Sequence, residues 1–225
     1  MISRDVEVLQ KVLRVFDDLK ITYWVDSGTL LGLHRDGRLI LNDKDIDLSV
    51  LAVDESYDNL IEALRCLGLG RVFIKMYGGR VHKIKVLRGF NRRVIDISLF
   101  RVCEDKLMMP VLRLEKIQES FNKSNYPTAF KLLCVKFFLE VQKFYSKKVD
   151  YSNDLYRELL RPKELWVYPI DLILPIDRRN NYGIAFPGEV GKFLEYRYGS
   201  WMVPQSNWTS ECSDKGFFRN DKYYD

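Results

Sequence analysis

Apolar residues open the chain at helical spacing. In "SRDVEVLQKVLRVFDDL" the positions Val6, Leu9, Val12, Leu13, Phe16 and Leu19 predict an amphipathic helix over 3–19, with Ser3 as its N-cap. The period then shifts. "ITYWV" (21–25), β-branched and aromatic, predicts a strand, and "SGTLLGLHRDG" predicts a short helix entered through Ser27-Gly28 and stopped at Gly37. "DIDLSVLAV" (45–53) reads as a second strand, apolar on one face. "DESYDNLIEALRCLGL" (54–69) starts on acids and closes on Gly68 and Gly70, the two end signals of a helix. Strands "RVFIKMY" (71–77) and "RVHKIKVL" (80–87) flank a Gly78-Gly79 hairpin turn, and "RRVIDISLF" (92–100) follows the Gly89-Phe90-Asn91 turn.

Downstream, Phe130, Leu133, Cys134, Phe137, Phe138, Val141 and Phe144 mark the buried side of a helix expected from Tyr126 to Lys148. From residue 160 the chain is rich in proline and aromatics. We expect ordered irregular structure lying over a site, a helix near 188–198, and a loosely held tail, "CSDKGFFRNDKYYD". The order of elements predicts an α+β fold: a mixed sheet flanked by helices, not a regular βαβ alternation, with a helical and irregular C-terminal extension. Residues 1–110 would form the core carrying the reaction centre. Residues 111–225 would cover the active site, the two parts making one compact unit.

Composition narrows the classes of function. The 36 basic and 31 acidic residues leave a net charge of +5, interspersed rather than blocked. That suits a polyanionic ligand such as a nucleotide or phosphorylated glycan and is far from the footprint of a dedicated DNA binder. Cys66, Cys103, Cys134 and Cys212 lack metal-site or redox spacing, so reduced and mostly buried thiols are expected. "MISRDVEVLQ" has no signal-peptide core, and no apolar run approaches ~18 residues. The expectation is a cytoplasmic protein with no transmembrane segment. The sequons at Asn122 and Asn207 would matter only in a secretory lumen.

Candidate chemistry lies in "WVDSGTLLGLHRDGRLILNDKDIDLSVL" (24–51), where Asp43, Asp45 and Asp47 recur at alternate positions. On a strand, residues i and i+2 share a face, so Asp45 and Asp47 project together while Ile46 and Leu48 enter the apolar layer. Two carboxylates ~4 Å apart at an effective dielectric near 20 repel by about 4 kcal/mol, so one takes a proton or a cation sits between them. Hard oxygen ligands favour Mg²⁺ or Mn²⁺. A salt-bridged strand with Lys44 and Arg35 as partners is the plainer alternative. An EF-hand is excluded, since Leu48 stands where its loop needs glycine. Gly28-Thr29 opens a helix after a strand and so presents backbone N–H groups to an anion. Asp96, mid-strand among apolar residues, would complete a three-carboxylate set if its strand adjoins that of Asp45 and Asp47; otherwise Arg92 or Arg93 would pair it. Together these are the parts of metal-assisted phosphoryl transfer.

The run "GTLLGLHR" (28–35), "LI" (39–40) and "DKDID" (43–47), with a later strand aspartate, resembles the LicD family, which includes fukutin and fukutin-related protein. This family lies within the DNA polymerase β-like nucleotidyltransferase superfamily. "FPGEVGKFLEYRYGSWMVP" (186–204) is similar to the family's ending. Leu41-Asn42 stands where members commonly carry Pro-Trp.

The resemblance implies a transferase of phosphocholine, ribitol phosphate or glycerol phosphate from a CDP-activated alcohol donor to the hydroxyl of a glycan or glycolipid acceptor, releasing CMP. It implies Asp45, Asp47 and Asp96 as catalytic and metal-holding residues for Mg²⁺ or Mn²⁺, with Asp96 also a candidate base. Gly28 and Thr29 would hold phosphate oxygens. Arg35 would reach a phosphate or brace Asp43, and Asp43 would orient its neighbours. Lys83 and Lys85 would neutralise phosphate charge, unless they are ordinary solvated lysines. Tyr198, Trp201 and Trp208 are candidates for stacking or for core packing. Rival readings are attachment of a nucleotide to a small molecule or protein, and a non-catalytic module that binds phosphorylated glycans.

Overall fold

The computed structural model describes residues 4–53, 57–77, 80–89, 92–111, 164–178, 180, 183–205, 208–209 and 213–219. The helix expected over 126–148 lies outside them. Helix α1 (Arg4–Asp18) buries Val8, Leu9, Val12, Leu13, Val15 and Phe16, while Leu19 falls beyond its end. Each such burial stabilises by about 1.5–3 kcal/mol, which seats this stripe on the core. Strand β1 (Tyr23–Val25) follows. Helix α2 (Ser27–Asp36) closes on Gly37 at φ 67°, a left-handed position that favours glycine.

Next come β2 (Asp45–Leu51), α3 (Asp58–Cys66), β3 (Arg71–Tyr77), β4 (Arg80–Leu87) and β5 (Val94–Cys103). Strands β6 (Lys106–Pro110), β7 (Glu164–Pro169) and β8 (Phe217–Arg219), with a 3₁₀ turn (Ile170–Leu172) and helix α4 (Val190–Tyr198), complete the described elements. The eight strands form one sheet: β1, β2, β5, β6, β7 and β8 follow in order, and the β3–β4 hairpin joins through β4 to β5. Strands β2 and β5 are parallel and the other pairs antiparallel. The mixed α+β sheet expected from the pattern is therefore the observed fold.

Alternation on the central strands separates two chemistries. Ile46, Leu48 and Val50 of β2 and Ile95, Ile97 and Leu99 of β5 are buried on one face. Asp45, Asp47 and Ser49 occupy the other face of β2, with Asp96 and Ser98 beside them on β5.

Three strands went unforeseen. Strand β6 is five residues long and ends on proline, and β7 lies in a stretch whose prolines suggested irregular structure. Part of the tail expected to be loose is held instead: Phe217 pairs with Trp166 in the β7–β8 ladder, and their rings lie 5.1 Å apart. The expectation of buried thiols also fails for Cys66 and Cys103, which end α3 and β5 and are exposed. Among the described residues no helix is long and apolar enough to cross a membrane.

Candidate active site

The turn between β1 and α2 is built around Asp26. As N-cap of α2 it accepts from Ser27 N–H at 2.6 Å and from the Ser49 hydroxyl at 2.6 Å. Arg197 of α4 donates to Asp26 and, at 3.1 Å, to the Ser27 hydroxyl; its Nε donates to Asp214 at 2.7 Å. Asp26, Arg197 and Asp214 are all buried, and the guanidinium lies over the rings of Trp166, Tyr168, Phe193 and Tyr198. A buried charge persists only when paired and hydrogen-bonded, and here one cation compensates two carboxylates.

Thr29 is buried, and its hydroxyl accepts from the Asp47 N–H at 2.8 Å, tying α2 to β2. Asp43 does not continue the strand: it lies in the preceding turn, where its Oδ1 accepts from Asp45 N–H at 3.3 Å. Gly28 leaves room for this carboxylate, since a Cβ there would stand 2.1 Å from Asp43 Oδ2 in its present position. The Ile40–Leu41 carbonyls before this turn accept from Arg93, which also pairs with Asp5.

Strand register brings the predicted carboxylates together. Asp47 is the register partner of Asp96 across the parallel β2–β5 pair, and Lys85 is the partner of Asp96 across β4–β5. One rung of the sheet thus runs aspartate, aspartate, lysine with all three side chains on one face. Asp96 Oδ2 accepts from Lys83 Nζ at 3.0 Å and Lys85 Nζ at 2.8 Å, whereas Oδ1 is buried without a hydrogen-bond partner among the described residues. Arg93, considered as a partner for Asp96, serves Asp5 and the Ile40 carbonyl instead.

Burial raises the pKa of Asp45, Asp96 raises it further, and Lys85 opposes them. Asp47 is held well above the ordinary carboxylate range, first by burial and then by the charges of Asp96, Asp43, Asp26 and Asp45. Burial pulls the Lys85 ammonium down, but Asp96 more than offsets this, and its pKa is raised.

In donor chemistry, hard carboxylate oxygens, the cluster is of the kind that a divalent cation such as Mg²⁺ takes. Four carboxyl groups, Asp43, Asp45, Asp47 and Asp96, face two ammoniums, and burial with the neighbouring carboxylates pushes Asp45 and Asp47 up, beside an Asp96 oxygen buried without a hydrogen-bond partner among the described residues. A bare anion approaching Gly28-Thr29 would meet those acids, so a phosphate there requires a cation beside it. As arranged, no group of three His, Cys, Asp or Glu side chains among the described residues converges on a single ion position.

Arg35 neither braces Asp43 nor points at the carboxylates. Its guanidinium pairs with Asp36, at 2.8 Å through Nε, and reaches the Trp201 carbonyl at 3.4 Å. Trp201 lies against His34, with centroids 5.3 Å apart, and Tyr198 packs on Trp208 at 4.6 Å. Sequence reasoning missed Asp26, Ser49, Arg197 and Asp214. An aspartate directly before Ser27-Gly28 carried an N-cap signal; the other three carried none, because their partners are distant in sequence.

Residues 20–131 match the profile described as LicD/FKTN/FKRP, nucleotidyltransferase domain. An uncharacterized protein of Rickettsia typhi is 33% identical over 89 residues, covering 39% of this chain and 26% of that protein. Ribitol-5-phosphate transferase FKTN of Mus musculus is 33% identical over 100 residues, covering 44% of this chain and 21% of that enzyme. The matches thus span about a quarter of the length of these curated relatives. Among solved structures, ANT(2'')-Ia in complex with adenylyl-2''-tobramycin is 21% identical with a TM-score of 0.36, over 47% of this chain and 55% of that one. A solution structure of the antibiotic-resistance factor ANT(2'')-Ia is 15% identical with a TM-score of 0.37, over 71% and 96%. Overlap that loose carries no argument.

Proposed function

From the premise that this chain belongs to the LicD/FKTN/FKRP nucleotidyltransferase family, we propose that it is a metal-dependent transferase of phospho-alcohols. The donor would be a CDP-activated alcohol of the choline, ribitol or glycerol type, the acceptor a glycan hydroxyl, and the leaving group CMP. One observation supports this reading above the others: Asp47 and Asp96 share a rung of the sheet beside the Gly28-Thr29 turn, inside a cluster where carboxyl groups outnumber ammoniums.

In this reading the acceptor oxygen bonds to the phosphorus of the phospho-alcohol as the bond from that phosphorus to the CMP oxygen breaks. CMP departs with the electron pair. Asp45, Asp47 and Asp96 would hold Mg²⁺ or Mn²⁺, which when bound neutralises charge on the diphosphate oxygens. Asp96 Oδ1, buried and without a hydrogen-bond partner among the described residues, would accept the hydroxyl proton. Thr29 fixes the height of the turn over Asp47, and Asp43 braces the first residue of β2. Arg197 holds the cap of α2, and with it the Ser27–Thr29 backbone, through Asp26.

The test is CMP release from a panel of CDP-alcohols with Mg²⁺ or Mn²⁺ and phosphorylated glycan acceptors, with the product weighed. A product heavier by one phospho-alcohol supports the reading. A gain of nucleotide mass, or ligand binding that neither needs the ion nor yields CMP, overturns it.

A further inference from the structure

Lys83 and Lys85 occupy a position that transfer chemistry alone does not explain. Both ammoniums are committed to a single oxygen, Asp96 Oδ2, at 3.0 and 2.8 Å, and the carboxylate they neutralise is only 7% exposed. Their own side chains are 24% and 30% exposed, so both lysines are largely covered while their ammoniums hold the buried acid. A buried carboxylate without a counter-charge is costly, and with Asp47 as its neighbour on the rung Asp96 has a special need of one.

We propose that Lys83 and Lys85 are a built-in counter-ion for the acid cluster, which a divalent ion displaces and which then serves the diphosphate of the donor. The charges support the exchange. Without an ion, two ammoniums partly offset four carboxylates. With a divalent ion among the carboxylates, Asp96 no longer needs both ammoniums, and the incoming diphosphate does. The lysines therefore compete with the ion for Asp96 and cooperate with it toward phosphate. The inference rests on the reading of the cluster as an ion site, and it assigns the lysines a partner in each state.

The experiment uses the full chain and Mn²⁺ as probe. Mn²⁺ affinity is measured by calorimetry for the unaltered protein and for Lys85→Met, Lys83→Met, Asp47→Asn and Lys75→Met. Lys75 is the register partner of Lys83, one strand further from the acids, and controls for loss of charge alone. Direct competition predicts that Lys85→Met binds Mn²⁺ at least ~10-fold tighter, the scale on which a close opposite charge shifts an equilibrium, while Lys75→Met changes by about two-fold or less. Should Lys85→Met instead change no more than Lys75→Met, the lysines do not compete. If Mn²⁺ binds but Asp47→Asn abolishes it, the ion site stands whatever the lysines do. If neither the unaltered protein nor Lys85→Met binds Mn²⁺, the ion site and the counter-ion exchange fall together.

A second measurement needs no variant that must fold. In protein labelled with ¹⁵N-lysine, two exchange-protected ammonium signals should be present without ion and vanish or shift at saturating Mg²⁺. Two signals unmoved by Mg²⁺ would mean that both ammoniums stay on Asp96, and would overturn the proposal.

Discussion

Asp47 and Asp96, forty-nine residues apart in sequence, face each other across the parallel β2–β5 pair. The arrangement places like charges on neighbouring strands, which destabilises a sheet unless a cation repays it. Neutralising Asp47 with the isosteric asparagine should remove the function and spare the fold. We expect Asp47→Asn to lower CMP release by at least ~100-fold while the ion-free protein melts no lower than the unaltered chain. Parallel activity and thermal-melt measurements check this, and a variant that still turns over would sink the assignment.

Gly28 and Asp43 form a second dependent pair. A methyl at residue 28 would stand 2.1 Å from Asp43 Oδ2 and 3.2 Å from its Cγ. Because the obstacle is the end of a short side chain, the carboxylate should move rather than the backbone. Gly28→Ala should therefore weaken Mn²⁺ binding several-fold with little change in melting temperature. Its effect should also be largely absent in an Asp43→Asn background, a non-additivity that a double-mutant cycle measures.

Arg197 is the counter-charge of both Asp26 and Asp214. Removing one member of a buried ionic group costs about 3–5 kcal/mol, because the charges left behind have no partner. Urea unfolding of Arg197→Met should show a loss of that order. Adding Asp26→Asn and Asp214→Asn to it should recover part of the loss.

His82 lies on the apolar face of β4, buried, with its Nδ1 lacking a hydrogen bond among the described residues. Burial first, then the positive charges of Lys75, Lys83 and Arg101, push its pKa down to about 3. In the unfolded chain a histidine titrates near about 6.5. Between those values the unfolded state binds the extra proton, so His82 favours unfolding increasingly as pH falls from about 6.5 toward about 3 and has no such effect above that window. A His82→Gln variant should show a shallower loss of stability between pH 6 and pH 4 than the unaltered protein, read from urea midpoints across that range (~0.5 pH steps suffice).

The parts of this account legible in sequence are those set by local periodicity. Asp45 and Asp47 stand out because alternation assigns them one face while Ile46 and Leu48 take the other, and Asp96 because an acid interrupts an apolar strand. Their meeting depends on which strands pair and in what register, which no local pattern specifies. Lys83 and Lys85, two residues apart on one strand, share a face by alternation, but their carboxylate partner follows only from the pairing of β4 with β5. For Arg35 the resemblance implies a phosphate or Asp43 as partner, but its guanidinium is held by the adjacent Asp36. Arg197 was hidden for the opposite reason: its partner Asp26 lies 171 residues away, and an arginine between two tyrosines reads as a solvated helix position. Strands β7 and β8 were obscured by prolines and by the shortness of their apolar runs.

The most direct test of the central claim is crystallographic: crystals grown with Mn²⁺ and CDP, measured at a wavelength where manganese scatters anomalously. The account predicts a peak within about 2.5 Å of carboxylate oxygens of Asp45, Asp47 and Asp96, beside the Gly28-Thr29 turn. No peak there at saturating Mn²⁺, or a peak elsewhere with the three carboxylates unmoved, would contradict it.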